Sequence, residues 1–106
     1  MVRIRTEGNV MSELFKDEVF ETALENMSDH FDSHDFIFEM MRRFPREYTK
    51  ALYECRRAKD PIQTLHGMIG RKLLEFSDRI RKTRRKSSRN VRGLPSENFF
   101  WEKIKE

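Results

Sequence analysis

The stretch Arg79-Ile80-Arg81-Lys82-Thr83-Arg84-Arg85-Lys86-Ser87-Ser88-Arg89-Asn90-Val91-Arg92-Gly93-Leu94-Pro95-Ser96-Glu97-Asn98-Phe99-Phe100-Trp101 decides the fold of this 106-residue chain. Its periodicity reads as the end of a helix, then a loop, then a short aromatic helix. The apolar series Ile62, Leu65, Ile69, Leu73, Phe76 and Ile80 reaches it from upstream in steps of 3, 4, 4, 3 and 4, a helical seam. Between Lys82 and Arg92 that period vanishes, and Ser87, Ser88, Asn90 and Gly93 enter as turn and loop formers. Beyond Pro95 and Ser96, which suit a helix start, Phe100, Trp101 and Ile104 share one face of a turn or two.

Upstream, the pattern stays helical. Asp60-Pro61-Ile62-Gln63 is a start signal, with Asp60 as the cap, Pro61 at the first helical position and Gln63 completing a capping-box variant. Ser12 caps a helix over Glu13 to Met27, and Ser33 a second one carrying Phe36, Ile37, Met40, Met41 and Phe44. Pro45 opens a third, whose Tyr48, Ala51, Leu52 and Cys55 face inward and which ends near Lys59. The expected architecture is all-α: a small irregular bundle of four main helices plus a short C-terminal helix. Its parts are an arm over 1–11, a bundle over 12–83, a basic loop over 84–95 and an aromatic helix over 96–106 that docks back on the bundle.

Composition narrows the function classes. The chain is long enough for one modest core, and its nine Phe and single Trp supply bulk where apolar residues are only 37%. No run approaches the roughly 18 apolar residues of a membrane span, and Arg3, Arg5 and Glu7 occupy the place of a signal peptide's apolar region, so an intracellular, cytoplasmic protein without a membrane partner is expected. Met11-Ser12 reads as an alternative natural start. Cys55 is the only cysteine, which excludes an internal disulfide and a cysteine zinc cage. It shares a helical face with Leu52 and Tyr48 and reads as a small core residue, not a nucleophile. No Ser, His and acid trio and no phosphate-binding P-loop is recognisable, so no enzyme, catalytic residue or cofactor is expected.

Charge is the strongest signal. Ser12 to Glu39 is acidic apart from Lys16, whereas Arg79, Arg81, Lys82, Arg84, Arg85, Lys86, Arg89 and Arg92 run without an acid between them. Clustered cations repel one another, and phosphates relieve that repulsion as their counterions are released. The expected function is therefore a nucleic-acid-binding or regulatory protein that uses these eight residues on phosphates, with Arg42, Arg43, Arg56 and Arg57 as a secondary basic face. Pairing of the acidic first helix against the basic segments would weaken that case and favour a protein-interaction adaptor, self-associating or with other partners.

Shorter motifs compete with structural explanations. The third and fourth helices have the order of a helix-turn-helix, which would make Gln63, Thr64 and His66 base readers and Arg56, Arg57 and Lys59 phosphate contacts, yet any bundle has this order. Gly67-Met68-Ile69-Gly70-Arg71-Lys72 resembles the GxxG loop of KH domains, a fold that also needs three strands which neither flank supplies. Two glycines within a helix imply instead a close approach by another helix, or a bend. His30, Asp32 and His34 are metal-ligand types, but they fall in a turn and capping explains the segment, so no metal is expected.

Overall fold

Extended backbone, not helix, begins at Ile80 after a turn over 77–79. The computed structural model describes residues 13–105; the 1–11 arm and the Ser12 cap lie outside them. Helices α1 (Asp17–Glu25), α2 (Ser33–Arg43), α3 (Pro45–Glu54) and α4 (Pro61–Leu73) come first, with a short strand β1 (His30–Asp32) leading into α2. A 3-10 turn at Leu74–Phe76 ends α4, and β2 (Ile80–Arg89) and β3 (Pro95–Lys103) complete the chain. The strands form one antiparallel sheet in the order β1-β3-β2. The fold is mixed α and β, which overturns the all-α helical bundle expected from periodicity.

Two expected segments change character. The basic loop of 84–95 is strand β2 as far as Arg89, then a turn; the aromatic helix of 96–106 is strand β3. The physical reasons are local. Phe99, Phe100 and Trp101 are strong strand formers, and Asn90 builds a hairpin turn. Its backbone carbonyl accepts from Gly93 N–H, its side-chain oxygen accepts from the Arg92 and Leu94 amides, and Gly93 takes a φ of 78° that other residues resist. Arg81 to Arg89 is exposed apart from half-buried Ser88, so β2 has no apolar face whose alternation would reveal a strand.

Most helix signals hold. Asp60 caps α4 through Gln63 N–H at 3.2 Å, and Pro61 and Pro45 both occupy first-turn positions. For α2 the cap is Asp32, not Ser33, in a capping box with Asp35. Ser33 is freed to accept the buried Trp101 indole N–H at 2.9 Å, which ties the helix start to the sheet. The core lies between the helices and the near end of the sheet, where Phe20 packs on Phe36 and Phe76 with ring centroids 5.4 and 5.8 Å apart. Leu65, Ile69 and Leu73 are fully buried, as the α4 seam requires, and Ile80 is buried as the first residue of β2. Among the described residues no helix is long and apolar enough to cross a membrane.

Candidate nucleic-acid interface

The hairpin β2–β3 is a two-stranded ribbon with a register shift between Lys82 and Arg84. Side chains alternate between the faces of a strand, and one extra residue reverses the alternation beyond it. Lys82 pairs with Trp101 and Arg85 with Phe99 on one face; Arg84 pairs with Phe100 on the other, where Lys86 also lies. Each aromatic ring of the Phe99-Phe100 pair is thereby bracketed by two cations. Phe99 has Lys82 Nζ at 4.1 Å and the Arg85 guanidinium at 5.3 Å from its centroid; Phe100 has Arg84 at 5.5 Å and Lys86 at 5.2 Å. Such contacts hold long, exposed side chains on the ribbon while leaving their charge in solvent.

The eight cations divide into two groups. Arg79 is paired with Glu21, Arg81 with Glu102, Arg85 with Glu97 at 3.2 Å, and Arg92 with Asp60 at 2.6 Å. Lys82, Arg84, Lys86 and Arg89 make no ion pair with any described residue; Arg89 donates to the Gly93 carbonyl. Of the acids in the first segment, Glu21 reaches Arg79 just ahead of the ribbon, while Glu13 pairs with Lys50 and Asp17 with Lys72. The Asp17 hydrogen bond raises the Lys72 ammonium above its usual range, against the effect of burial. The ribbon's central cations thus escape the internal neutralisation that would undercut a polyanion site.

The secondary basic residues do not form one face. Arg42 and Arg43 both grip the buried Glu39 at 2.6 Å. Burial alone would raise that carboxyl, but the Arg43 and Arg42 hydrogen bonds outweigh it and hold Glu39 below its ordinary range. Arg56 lies over the Tyr53 ring at 4.2 Å and Arg57 is exposed, both beyond the far end of α3, roughly 15 Å along its axis. The Arg92–Asp60 pair does bring the ribbon's turn against the α3–α4 connection that carries Arg56, Arg57 and Lys59. The same pair sits at the start of α4, and of the helix-turn-helix base readers His66 is hydrogen-bonded to Tyr48 Oη at 2.6 Å while Gln63 and Thr64 are exposed.

Other singled-out residues have structural partners. His30 faces Glu102 at 3.6 Å, Asp29 pairs with Lys105, which holds its carboxyl below the usual range, and Asp32 caps α2. His34 Nδ1 lies 2.8 Å from Ser88 Oγ, while Asn98 accepts from His34 N–H and donates to Ser88 Oγ and the Lys86 carbonyl. This network, which fastens the ribbon to the start of α2, was not foreseen. The sequence signal was an aromatic run placed after an Asn-to-Gly turn. Cys55 is buried at the end of α3, and burial raises its thiol. Gly67 and Gly70 lie within the unbroken α4, so they form no KH-type loop despite the presence of three strands. They are not close helix contacts either: a Cβ on Gly70 would meet nothing within 4 Å, and one on Gly67 only Arg71 Nη1 at 3.6 Å. No family model matches the chain, no curated protein matches its sequence, and no solved structure matches its fold.

Proposed function

We propose that the β2–β3 ribbon binds nucleic acid through its phosphates. One observation carries this reading: Lys82, Arg84, Lys86 and Arg89 stand on a single exposed ribbon without a described carboxylate partner, while the neighbouring cations are paired. Unpaired cations at strand spacing are positioned to displace condensed counterions from a phosphate backbone. Phe99 and Phe100, both half-buried, add ring surface on which an unpaired base stacks. The affinity is expected to depend weakly on base sequence, since most of it comes from charge.

The test is the salt dependence of binding to a generic duplex and to a single strand of the same sequence. Each duplex phosphate contact contributes about 0.9 to the slope of log affinity against log salt. The triple variant Lys82→Ala, Arg84→Ala, Lys86→Ala is expected to flatten the duplex slope by up to about 2.7 and to leave the circular dichroism spectrum unchanged. Arg85, already paired with Glu97, is expected to change it less. Failure of the unmodified protein to retain either nucleic acid at low salt, or an untouched slope in the folded triple variant, would overturn the reading and leave a protein-interaction role as the alternative.

A further inference from the structure

A cleft of about 480 Å³ separates α4 from the ribbon. That volume lies within the range of small-molecule sites. Its chemistry is asymmetric. Ile37, Leu74 and Phe99 give it apolar surface, His34, His66 and Arg71 line it as polar groups, and its carboxylates Asp60 and Glu97 are taken up by Arg92 and Arg85.

The hydrogen bonds around the two imidazoles leave one ring nitrogen of each free for a ligand. Asn98 is oriented by accepting from His34 N–H and donating to the Lys86 carbonyl, so its amide also donates to Ser88 Oγ. Ser88 Oγ lies 2.8 Å from His34 Nδ1, which leaves Nε2 as the imidazole's free nitrogen. His34 is only 9% exposed, yet Nε2 meets no hydrogen-bond partner among the described residues. Tyr48 Oη is hydrogen-bonded to His66 Nε2, which leaves His66 Nδ1 unpartnered among the described residues. Arg71 adds a guanidinium that folds back over Gly67, occupying the space a Cβ would narrow, and it makes no ion pair with a described residue.

We propose that this cleft binds a phosphomonoester carrying a flat ring, such as a nucleoside monophosphate. The phosphate accepts from Arg71, His34 Nε2 and His66 Nδ1, a donor set richer than a carboxylate's two oxygens require. The ring lies along the open backbone of α4 at Gly70, between Leu74 and Phe99. Glycine at position 70 weakens the helix with no neighbour to justify it, and a ligand approaching the backbone supplies the reason. None of the ribbon's unpaired cations lines the cleft; Arg85 and Arg92, which do, are paired with Glu97 and Asp60.

Calorimetric titration at low salt with adenosine 5′-monophosphate, adenosine and inorganic phosphate tests it, with emission of Trp101, which lines the cleft and is the only tryptophan, as a second readout. Adenosine monophosphate is expected to bind saturably, adenosine about tenfold more weakly, and phosphate but not acetate to compete. A 5′-phosphorylated oligonucleotide compared with its 5′-hydroxyl form distinguishes a strand end from a free nucleotide as the source of the same chemistry. Arg71→Gln is expected to weaken binding about tenfold, and Gly70→Ala to weaken it similarly while the melting temperature stays the same or rises. The double variant Arg84→Ala, Lys86→Ala, whose side chains lie over Phe100 and not Phe99, is expected to weaken nucleic-acid binding but keep the affinity for adenosine monophosphate within about twofold, so failure here and failure of nucleic-acid binding are separable. Absence of saturable binding, or unchanged affinity in folded Arg71→Gln or Gly70→Ala protein, would overturn the proposal.

Discussion

His66 illustrates how one side chain ties stability to pH. Burial, reinforced by the nearby His34, lowers its pKa to about 4, while burial raises the Tyr48 phenol hydrogen-bonded to it. An unfolded chain binds this proton near pH 6.5, so between that value and about 4 the unfolded state holds more protons than the folded one. Stability is therefore complete above pH 6.5 and is lost as the pH falls toward 4. Because the imidazole is partly solvated, the loss is discounted to on the order of 1 to 2 kcal/mol. Thermal melts from pH 7 to 4.5 are expected to show it, and His66→Gln to flatten it; parallel curves for the two proteins would contradict the assignment. The carboxyls of Asp60, held low by Arg92 and then by the Gln63 amide, and Glu102, held low by Arg81, release their stabilisation only below the ordinary carboxylate range.

At the scale of elements, the helices announced themselves and the ribbon did not. The α4 start was legible because Asp60, Pro61 and Gln63 act through contacts within one turn. The capping residue of α2 was misplaced by one position, since only the sheet reveals that Ser33 is engaged by Trp101. Strand β2 was illegible because its exposed residues carry no period-two apolar pattern. Its stability instead depends on β3 and on the turn at Asn90 to Leu94, where Gly93 holds its φ of 78°. Gly93→Ala places a side chain in the left-handed region and is expected to destabilise by about 1 to 2 kcal/mol. Chemical denaturation checks the magnitude; a change below about 0.5 kcal/mol would mean that the turn does not hold the ribbon.

For the whole molecule, the core and the charge layout belong to different parts of the chain. Leu73 is fully buried at the end of α4, whereas the adjacent Leu74 is 51% exposed. Leu73→Ala is expected to cost about 2 to 5 kcal/mol and Leu74→Ala less than about 0.5, and equal losses in denaturant titrations would show that the seam has been placed on the wrong face. The sequence alone determined this seam, the caps of α4 and the basic run, because each is written in residues a few positions apart whose spacing or charge acts locally. Only the tertiary structure decided that the run is a strand, that Arg79, Arg81, Arg85 and Arg92 are paired while four cations between Lys82 and Arg89 are not, and that α4 faces a cleft. Those outcomes rest on partners 6 to 68 residues apart, from the Arg89–Pro95 strand pair to Ser33–Trp101, and no local pattern encodes which distant group will arrive.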